Sequence, residues 1–283
     1  MQPLHLHTLA VGDAVCEIKT RIDVPCALYA SNSREISCLC FATHYDSLWL
    51  SPMKQKHLES ALSRIQPRFE EPKLALEQYP TSAHIAAAML HMIENMYGDV
   101  EGKVVCDLGV GTGMLASAAT LMGSSYTFGV DIDPDALRQA QANFEHLEIN
   151  VDLIRCAIGE ERSEETASGL PVVCVDGVGA STTRRVPPCD VVVMNPPFGT
   201  RRRGIDMAFL KCALGIARDA VYSLHKTSTR KHIMKAAKAM GATVEIIAEL
   251  RFDVPKMYKM HREKSKDILV DFIRFVPNRA ATK

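Results

Sequence analysis

The chain has 283 residues, 47% of them hydrophobic and 23% charged, enough for one good-sized α/β domain with additions or for two small domains. No apolar run approaches the ~18 residues needed to cross a bilayer, and no basic segment followed by a long apolar core opens the chain, so neither a membrane span nor a secretory signal is read. The 33 Lys and Arg balance the 33 Asp and Glu overall, but from Asn195 onward the count is 19 against 8. A basic half beside an acidic half suggests a polyanion docked on one face; helix faces that neutralise each other in space are the alternative. The nine cysteines include no Cys-x-x-Cys pair, so a zinc ribbon is not expected, and a reducing compartment is.

Residues 1–52 hold short mixed apolar pieces with weak periodicity. A helix is expected from near Met53, where Leu58, Leu62 and Ile65 recur at spacings of four and three, until Pro67 ends it. A second helix should start after Pro80, with Thr81 or Ser82 as its cap. From Lys103 strands and helices alternate. Strands are expected at Val104–Leu108, Tyr126–Ile132, Val151–Cys156, Asp190–Met194 and Ala220–Leu224, and two closing strands at Thr243–Leu250 and Asp267–Phe275. Helices are expected at Met114–Met122, Pro134–Leu147, Met207–Arg218 and Ser228–Met240. Residues 159–189, rich in Gly, Ser, Thr and Pro, read as an insertion with a short strand at Val172–Val175. The alternation implies a mostly parallel sheet with helices on both faces.

Asp107-Leu108-Gly109-Val110-Gly111-Thr112-Gly113 follows the first strand of that run. Glycines let the chain turn sharply and let a ligand approach the backbone, and the N–H groups of the next helix face that ligand. Asp131 ends the following strand, where a carboxylate can bind ribose hydroxyls. The spacing is G-x-G-x-G, so the dinucleotide fingerprint is incomplete. This favours a nucleoside-type methyl donor over a nicotinamide cofactor, with a glycine turn in an unrelated α/β protein as the alternative.

Asn195-Pro196-Pro197-Phe198 follows the Asp190–Met194 strand on the same edge of the sheet. Consecutive prolines stiffen this loop. The Asn195 side-chain carbonyl and the Pro196 peptide carbonyl can both accept hydrogen bonds from one NH2 group, which exposes the lone pair of its nitrogen, and Phe198 offers a flat face for a planar substrate. No Ser/His/Asp or metal-ligand arrangement competes here. His84, His91, His225 and His232 are not clustered. Arg201, Arg202 and Arg203 follow directly, and Lys226 and Arg230 lie at the end of the next strand. Lys256 and Lys259 belong to a basic loop late in the chain. These are candidate phosphate contacts, with solvated loops as the alternative.

Five segments together resemble the methyltransferase-like protein five family: Glu77-Gln78-Tyr79-Pro80-Thr81, Asp107–Gly113, Asn195–Thr200, Ala220–Arg230 and Ala248–Asp253. The likeness runs from about Met53 to Val276. It implies a seven-stranded Rossmann-like fold dependent on S-adenosylmethionine, and transfer of a methyl group to an adenosine N6 amine in eukaryotic small-subunit ribosomal RNA. By position it places donor contacts on Gln78, Thr81, Gly109, Thr112, Met114 and Asp131, to which the glycine loop adds Asp107, Gly111 and Gly113 and the end of the third strand Ala157 and Ile158, and it places the catalytic motif on Asn195, Pro196, Pro197 and Phe198. The family carries an acidic residue after the third strand near the donor adenine; Ala157 and Ile158 stand there instead.

The resemblance also implies a small zinc-binding activator subunit forming a heterodimer, for which Val151–Cys156 is the expected paired edge, and a place in the nucleus, nucleolus and cytoplasm. Residues 1–52 and most of 159–189 have no counterpart in the family, and Met53-Lys54 resembles the family's own start. The domains are therefore read as an extension over 1–52 and a methyltransferase domain over 53–283. The same loop chemistry also suits a guanine N2 amine, a DNA adenine or a protein glutamine, and a non-enzymatic RNA-binding scaffold is a further alternative.

Overall fold

The computed structural model describes residues 6–11, 14–19, 53–158, 186–255 and 265–278. The chain divides into two compact units, Met1–Leu50 and Ser51–Lys283. In the first, strands β1 (Leu6–Val11) and β2 (Ala14–Lys19) pair antiparallel, with Leu6 opposite Lys19 and Val11 opposite Ala14. The sequence reading assigned no element there. The Gly12-Asp13 pair between two short runs was a hairpin signal it passed over.

The second unit starts with helix α1 (Gln55–Leu62) and, after a 3-10 turn at Leu74–Leu76, helix α2 (Ala83–Tyr97). Ser82, not Thr81, caps α2: its Oγ accepts from the Ile85 N–H at 3.2 Å. Strand β3 (Val104–Leu108) leads through the glycine loop into α3 (Met114–Leu121). Then come β4 (Tyr126–Asp131), α4 (Pro134–Leu147) and β5 (Asp152–Arg155). Asp133 is the N-cap of α4 and Pro134 stands at its first position, where the missing N–H costs no hydrogen bond. Beyond β6 (Cys189–Met194) follow α5 (Ile205–Ile216), β7 (Ala217–Lys226), α6 (Arg230–Ala239), β8 (Ala242–Pro255) and β9 (Ser265–Pro277). The strand expected at Val172–Val175 lies outside the described residues.

The closing strands exceed their expected lengths. β8 and β9 pair antiparallel from Ala242 opposite Pro277 to Pro255 opposite Ser265, so ladder hydrogen bonds carry them past the residues an apolar face requires. β7 also starts earlier than expected, because Ala217 already pairs with Cys189 ahead of an irregularity between Cys189 and Val191.

Seven strands form one sheet in the order β5-β4-β3-β6-β7-β9-β8, parallel except for β9. β6 shows why such strands read as unbroken apolar runs. Val191 and Val193 join a core layer with Leu58, Leu62, Met89, Leu90 and Ile93 of α1 and α2. Val192 and Met194 join the opposite layer with Leu210 and Ala213 of α5 and Ile233 of α6. Each fully buried aliphatic side chain contributes about 1.5–3 kcal/mol, so the two layers hold the sheet rigid under its loops. The strand order reverses between β3 and β6, and the loops leaving their carboxyl ends open a crevice there. Among the described residues no helix is long and apolar enough to cross a membrane.

Candidate active site

The crevice holds a cavity of about 140 Å³. Its floor comes from the glycine loop, which the backbone holds on both sides. The Gly109 and Val110 N–H groups donate to the Val130 carbonyl at 2.8 and 3.0 Å, and the Gly111 N–H donates to Asp131 Oδ2 at 2.9 Å. The glycines of the loop serve two purposes. A Cβ on Gly111 would stand 2.9 Å from the Phe69 ring at the cavity wall, whereas a Cβ on Gly113 would stand 2.5 Å from Phe144 Cε1, inside the core under α4. Gly109, Gly111 and Thr112 line the cavity; Gly113 is not part of the wall.

Two carboxylates face this end. Asp131 Oδ1 accepts from the Asp133 N–H at 2.9 Å, so each of its oxygens holds one backbone partner and keeps a lone pair for a ligand hydroxyl. Burial raises its pKa above the usual carboxylate range. Asp107 is buried, and its Oδ2 accepts from the Ala116 N–H at 2.8 Å. Among the described residues its Oδ1 has no hydrogen-bond partner, and burial pushes its carboxyl up to about 7. A buried carboxylate oxygen left without a donor costs stability until a ligand supplies one. The cationic amino group of S-adenosylmethionine fits that vacancy in bonding, its ribose hydroxyls fit Asp131, and its adenine fits the aromatic walls formed by Phe69 and Phe209.

The other end of the cavity is built by side chains from distant parts of the chain. Asn195, leaving the end of β6, donates through Nδ2 to Thr81 Oγ1 at 3.1 Å. With its nitrogen committed there, Asn195 has no hydrogen-bond partner at Oδ1 among the described residues. Glu77 is buried; its Oε2 accepts from the Thr200 hydroxyl at 2.7 Å and its Oε1 from the Arg201 N–H at 2.7 Å. Gln78 donates from Nε2 to Asp133 Oδ2 at 2.7 Å and accepts at Oε1 from the Lys73 N–H at 2.7 Å. Lys73 Nζ bonds Asp133 as well and Asp135 at 2.6 Å, which closes the 73–81 segment over the start of α4.

Of the residues expected to bind the donor, Gln78, Thr81, Asp107, Gly109, Gly111, Thr112, Met114, Asp131 and Ile158 line the cavity; Gly113 and Ala157 do not. Gln78 spends both ends of its amide on protein groups, and the Thr112 hydroxyl donates to the Pro67 carbonyl at 3.1 Å. Both residues shape the wall with their polar atoms already engaged. Of the catalytic tetrapeptide, Asn195 and Pro197 line the cavity, while Pro196 and Phe198 lie outside its wall. Phe198 packs against the α1–α2 core layer, and Lys226 Nζ stands 5.5 Å from its ring centre.

Arg201, Arg202 and Arg203 are exposed, and Arg202 reaches the cavity. Arg230 is committed elsewhere: it donates to both oxygens of Asp271 at 2.6 and 2.7 Å and to Glu249 at 2.7 Å. Lys256 and Lys259 lie outside the described residues. His225 is buried with its Nε2 3.0 Å from Ser223 Oγ, and burial lowers its pKa to about 4, so it stays neutral. Sequence reasoning missed Phe69, Leu76, Phe209 and the role of Glu77. Phe69 lies in an irregular segment, and Phe209 is one apolar residue among many on α5, so neither carried a local signal.

Comparison with known proteins places these elements. The model of the ribosomal protein L11 methyltransferase (PrmA) family matches residues 79–174, the stretch that includes the glycine loop and Asp131. A relative from Danio rerio, named rRNA N(6)-adenosine-methyltransferase METTL5, is 47% identical over 227 residues, 80% of this chain and 100% of the relative. This chain belongs to the METTL5 family. The METTL5 relative from Drosophila melanogaster is 43% identical over 80% of this chain and 98% of its own length. Among solved structures, a candidate RNA methyltransferase from Pyrococcus horikoshii is 32% identical, covers 79% of this chain and 98% of that one, and superposes with a TM-score of 0.64. The fold is therefore the Rossmann-like methyltransferase fold of METTL5 relatives, the chain is a methyltransferase, and its donor is S-adenosylmethionine.

Proposed function

We propose that this protein methylates the N6 amine of an adenosine in ribosomal RNA, and specifically in the small-subunit RNA. The observation that carries this reading is Asn195, a residue of the cavity wall whose amide nitrogen is tied to Thr81 while its oxygen has no partner among the described residues. When bound, S-adenosylmethionine supplies an electrophilic methyl group on a sulfonium. Asp107 and Asp131 hold the donor's amino group and ribose. Asn195 Oδ1 and the Pro196 carbonyl accept the two hydrogens of the adenine amine and hold its lone pair in line; alignment is the main requirement of such a transfer. The methylated amine, acidic as a cation, gives its extra proton to water, so no side-chain base has to be recruited, and His225 is sealed in the core. Phe198 packs on the α1–α2 core layer with the Lys226 ammonium beside it, so it anchors the loop rather than stacking the base. The names of the Danio rerio and Drosophila melanogaster relatives support an rRNA adenosine as the acceptor.

Arg201, Arg202 and Arg203 then contact phosphates flanking the target, and the exposed Lys231, Lys235 and Lys238 of α6 extend the same charge. Lys256 and Lys259 are assigned the same duty. A small zinc-binding activator pairs with β5, which ends the sheet among the described residues and has the exposed Tyr126 of β4 and Ile132 just after it nearby. The enzyme works where small subunits are made and used, in the nucleolus and cytoplasm.

The test is methylation of unmodified small-subunit RNA by the protein co-purified with such a subunit, followed by digestion to nucleosides. N6-methyladenosine is the expected product. A methylated guanosine, or label on protein alone, would replace this reading.

A further inference from the structure

We infer that Glu77 is a positioning residue for methyl transfer, holding the acceptor loop closed from the side opposite Asn195. This inference rests on the acceptor role proposed for Asn195. The loop from Asn195 to Arg201 is pinned at both ends by one five-residue segment. Thr81 holds Asn195 at one end, and Glu77 holds Thr200 and Arg201 at the other. Between the pins, Pro196 and Pro197 remove most of the remaining backbone freedom. Gln78, next to Glu77, ties the same segment to Asp133, two residues beyond Asp131. The spacing between the donor's ribose site and the acceptor grip is therefore set through residues 77–81.

The backbone at Glu77 shows that its side chain is the reason for its presence. Among the described non-glycine residues only Glu77 and Glu148 have positive φ, 52° and 56°. Glu148 closes α4 with an exposed side chain, whereas Glu77 is 5% exposed and holds the loop with both carboxylate oxygens. Glycine would adopt this turn with less strain but would leave the Thr200 hydroxyl and the Arg201 N–H without their acceptor. Glu77→Gly therefore separates folding from positioning. Glu77→Gln restores both bonds, because its oxygen can accept from Arg201 while its NH2 donates to a rotated Thr200 hydroxyl.

The experiment compares wild type, Glu77→Gly, Glu77→Gln and Asn195→Ala for kcat on RNA, donor affinity by calorimetry and thermal midpoint. Glu77→Gly is expected to lower kcat by about 10- to 100-fold with donor affinity within about twofold. Glu77→Gln is expected to recover kcat to within about threefold of wild type. A Glu77→Gly protein with wild-type kcat at a temperature where it is folded overturns the inference, as does a Glu77→Gln protein as impaired as Glu77→Gly. If Glu77→Gly does not fold, Thr200→Val at the exposed end of the same contact takes its place. It is expected to lower kcat about threefold with donor affinity kept, and an unchanged kcat overturns the inference. Full turnover by Asn195→Ala instead removes the acceptor reading itself. Loss in Asn195→Ala without loss in Glu77→Gly removes only the positioning role.

Discussion

The two ends of the crevice are held by different kinds of contact. At the donor end, backbone groups close on neighbours in sequence: Asp107 meets the Ala116 N–H 9 residues on, and Asp131 meets the Gly111 N–H 20 residues back. At the acceptor end, side chains reach across the chain: Thr81 to Asn195 over 114 residues, and Glu77 to Thr200 and Arg201 over 123 and 124. The glycine loop and its two carboxylates are thus a property of one βαβ unit, although Phe69 and Phe209 of the wall come from outside it. The acceptor end exists only when the whole domain has assembled, so the two should fail separately.

The largest expected separation comes from Asn195→Ala. Turnover should fall by about 10³-fold, as when one oxygen or donor of a preorganised polar site is removed, with donor affinity preserved. Single-turnover methylation beside calorimetry reads both quantities, and parallel losses would dissolve the distinction between the ends. Asp131→Ala is the mirror experiment. Donor affinity should weaken about 10- to 100-fold, the worth of a charged hydrogen-bond acceptor, while kcat at saturating donor changes much less.

Gly113→Ala probes whether the glycine loop is one unit. Its Cβ would stand 2.5 Å from Phe144 Cε1 at a φ of +87°, so stability should drop by about 1–3 kcal/mol in denaturant unfolding. The folded fraction should bind donor normally, because Gly113 is not on the cavity wall. A selective loss of donor affinity would return Gly113 to the ligand site.

The last effect is a pH dependence, small in the wild type because two buried groups oppose each other. In the donor-free protein the Asp107 carboxyl sits at about 7 against an ordinary 3.8, so the fold retains a proton that the unfolded chain releases. Its contribution to stability is fully present below about pH 4 and is lost as pH rises to about 7. His225, lowered to about 4 from 6.5, acts in the opposite sense: stability rises with pH between those values. The two nearly offset below pH 6.5. The difference in thermal midpoint between wild type and Asp107→Asn isolates the Asp107 part, and it should move against wild type as pH climbs from 5 to about 7, then level off. A constant difference across that range would show that Asp107 already has a partner. With donor present the slope should flatten, since an ammonium group favours the ionised carboxylate.

Legibility in the sequence followed the same division. Val104–Leu108 and Pro134–Leu147 were read with the bounds the structure gives, because an apolar run ending in glycine and an amphipathic run opening with Asp-Pro are local signals. Asp107, Gly109, Gly111 and Asp131 were legible with them, and Asn195 through its stiff dipeptide of prolines. The walls were not. Glu77 holds its place through a contact more than a hundred residues away, and nothing around it in sequence states that distance. Thr81 was read as a possible helix cap, but Ser82 takes that duty and leaves Thr81 to hold Asn195. Strand ends were misjudged where ladder pairing, rather than burial, set the length, as along β8 and β9.

The strand order has a consequence for how the protein is made. Among the described residues β9 is the last strand in sequence, yet it lies inside the sheet between β7 and β8. A ribosome that has released residues up to Pro255 has exposed β8 with no neighbour to receive it, beside an otherwise pairable set of five strands. The nascent chain must wait for Ser265–Pro277 before both β7 and β8 are covered, and until then two unpaired edges are open to aggregation or to chaperones.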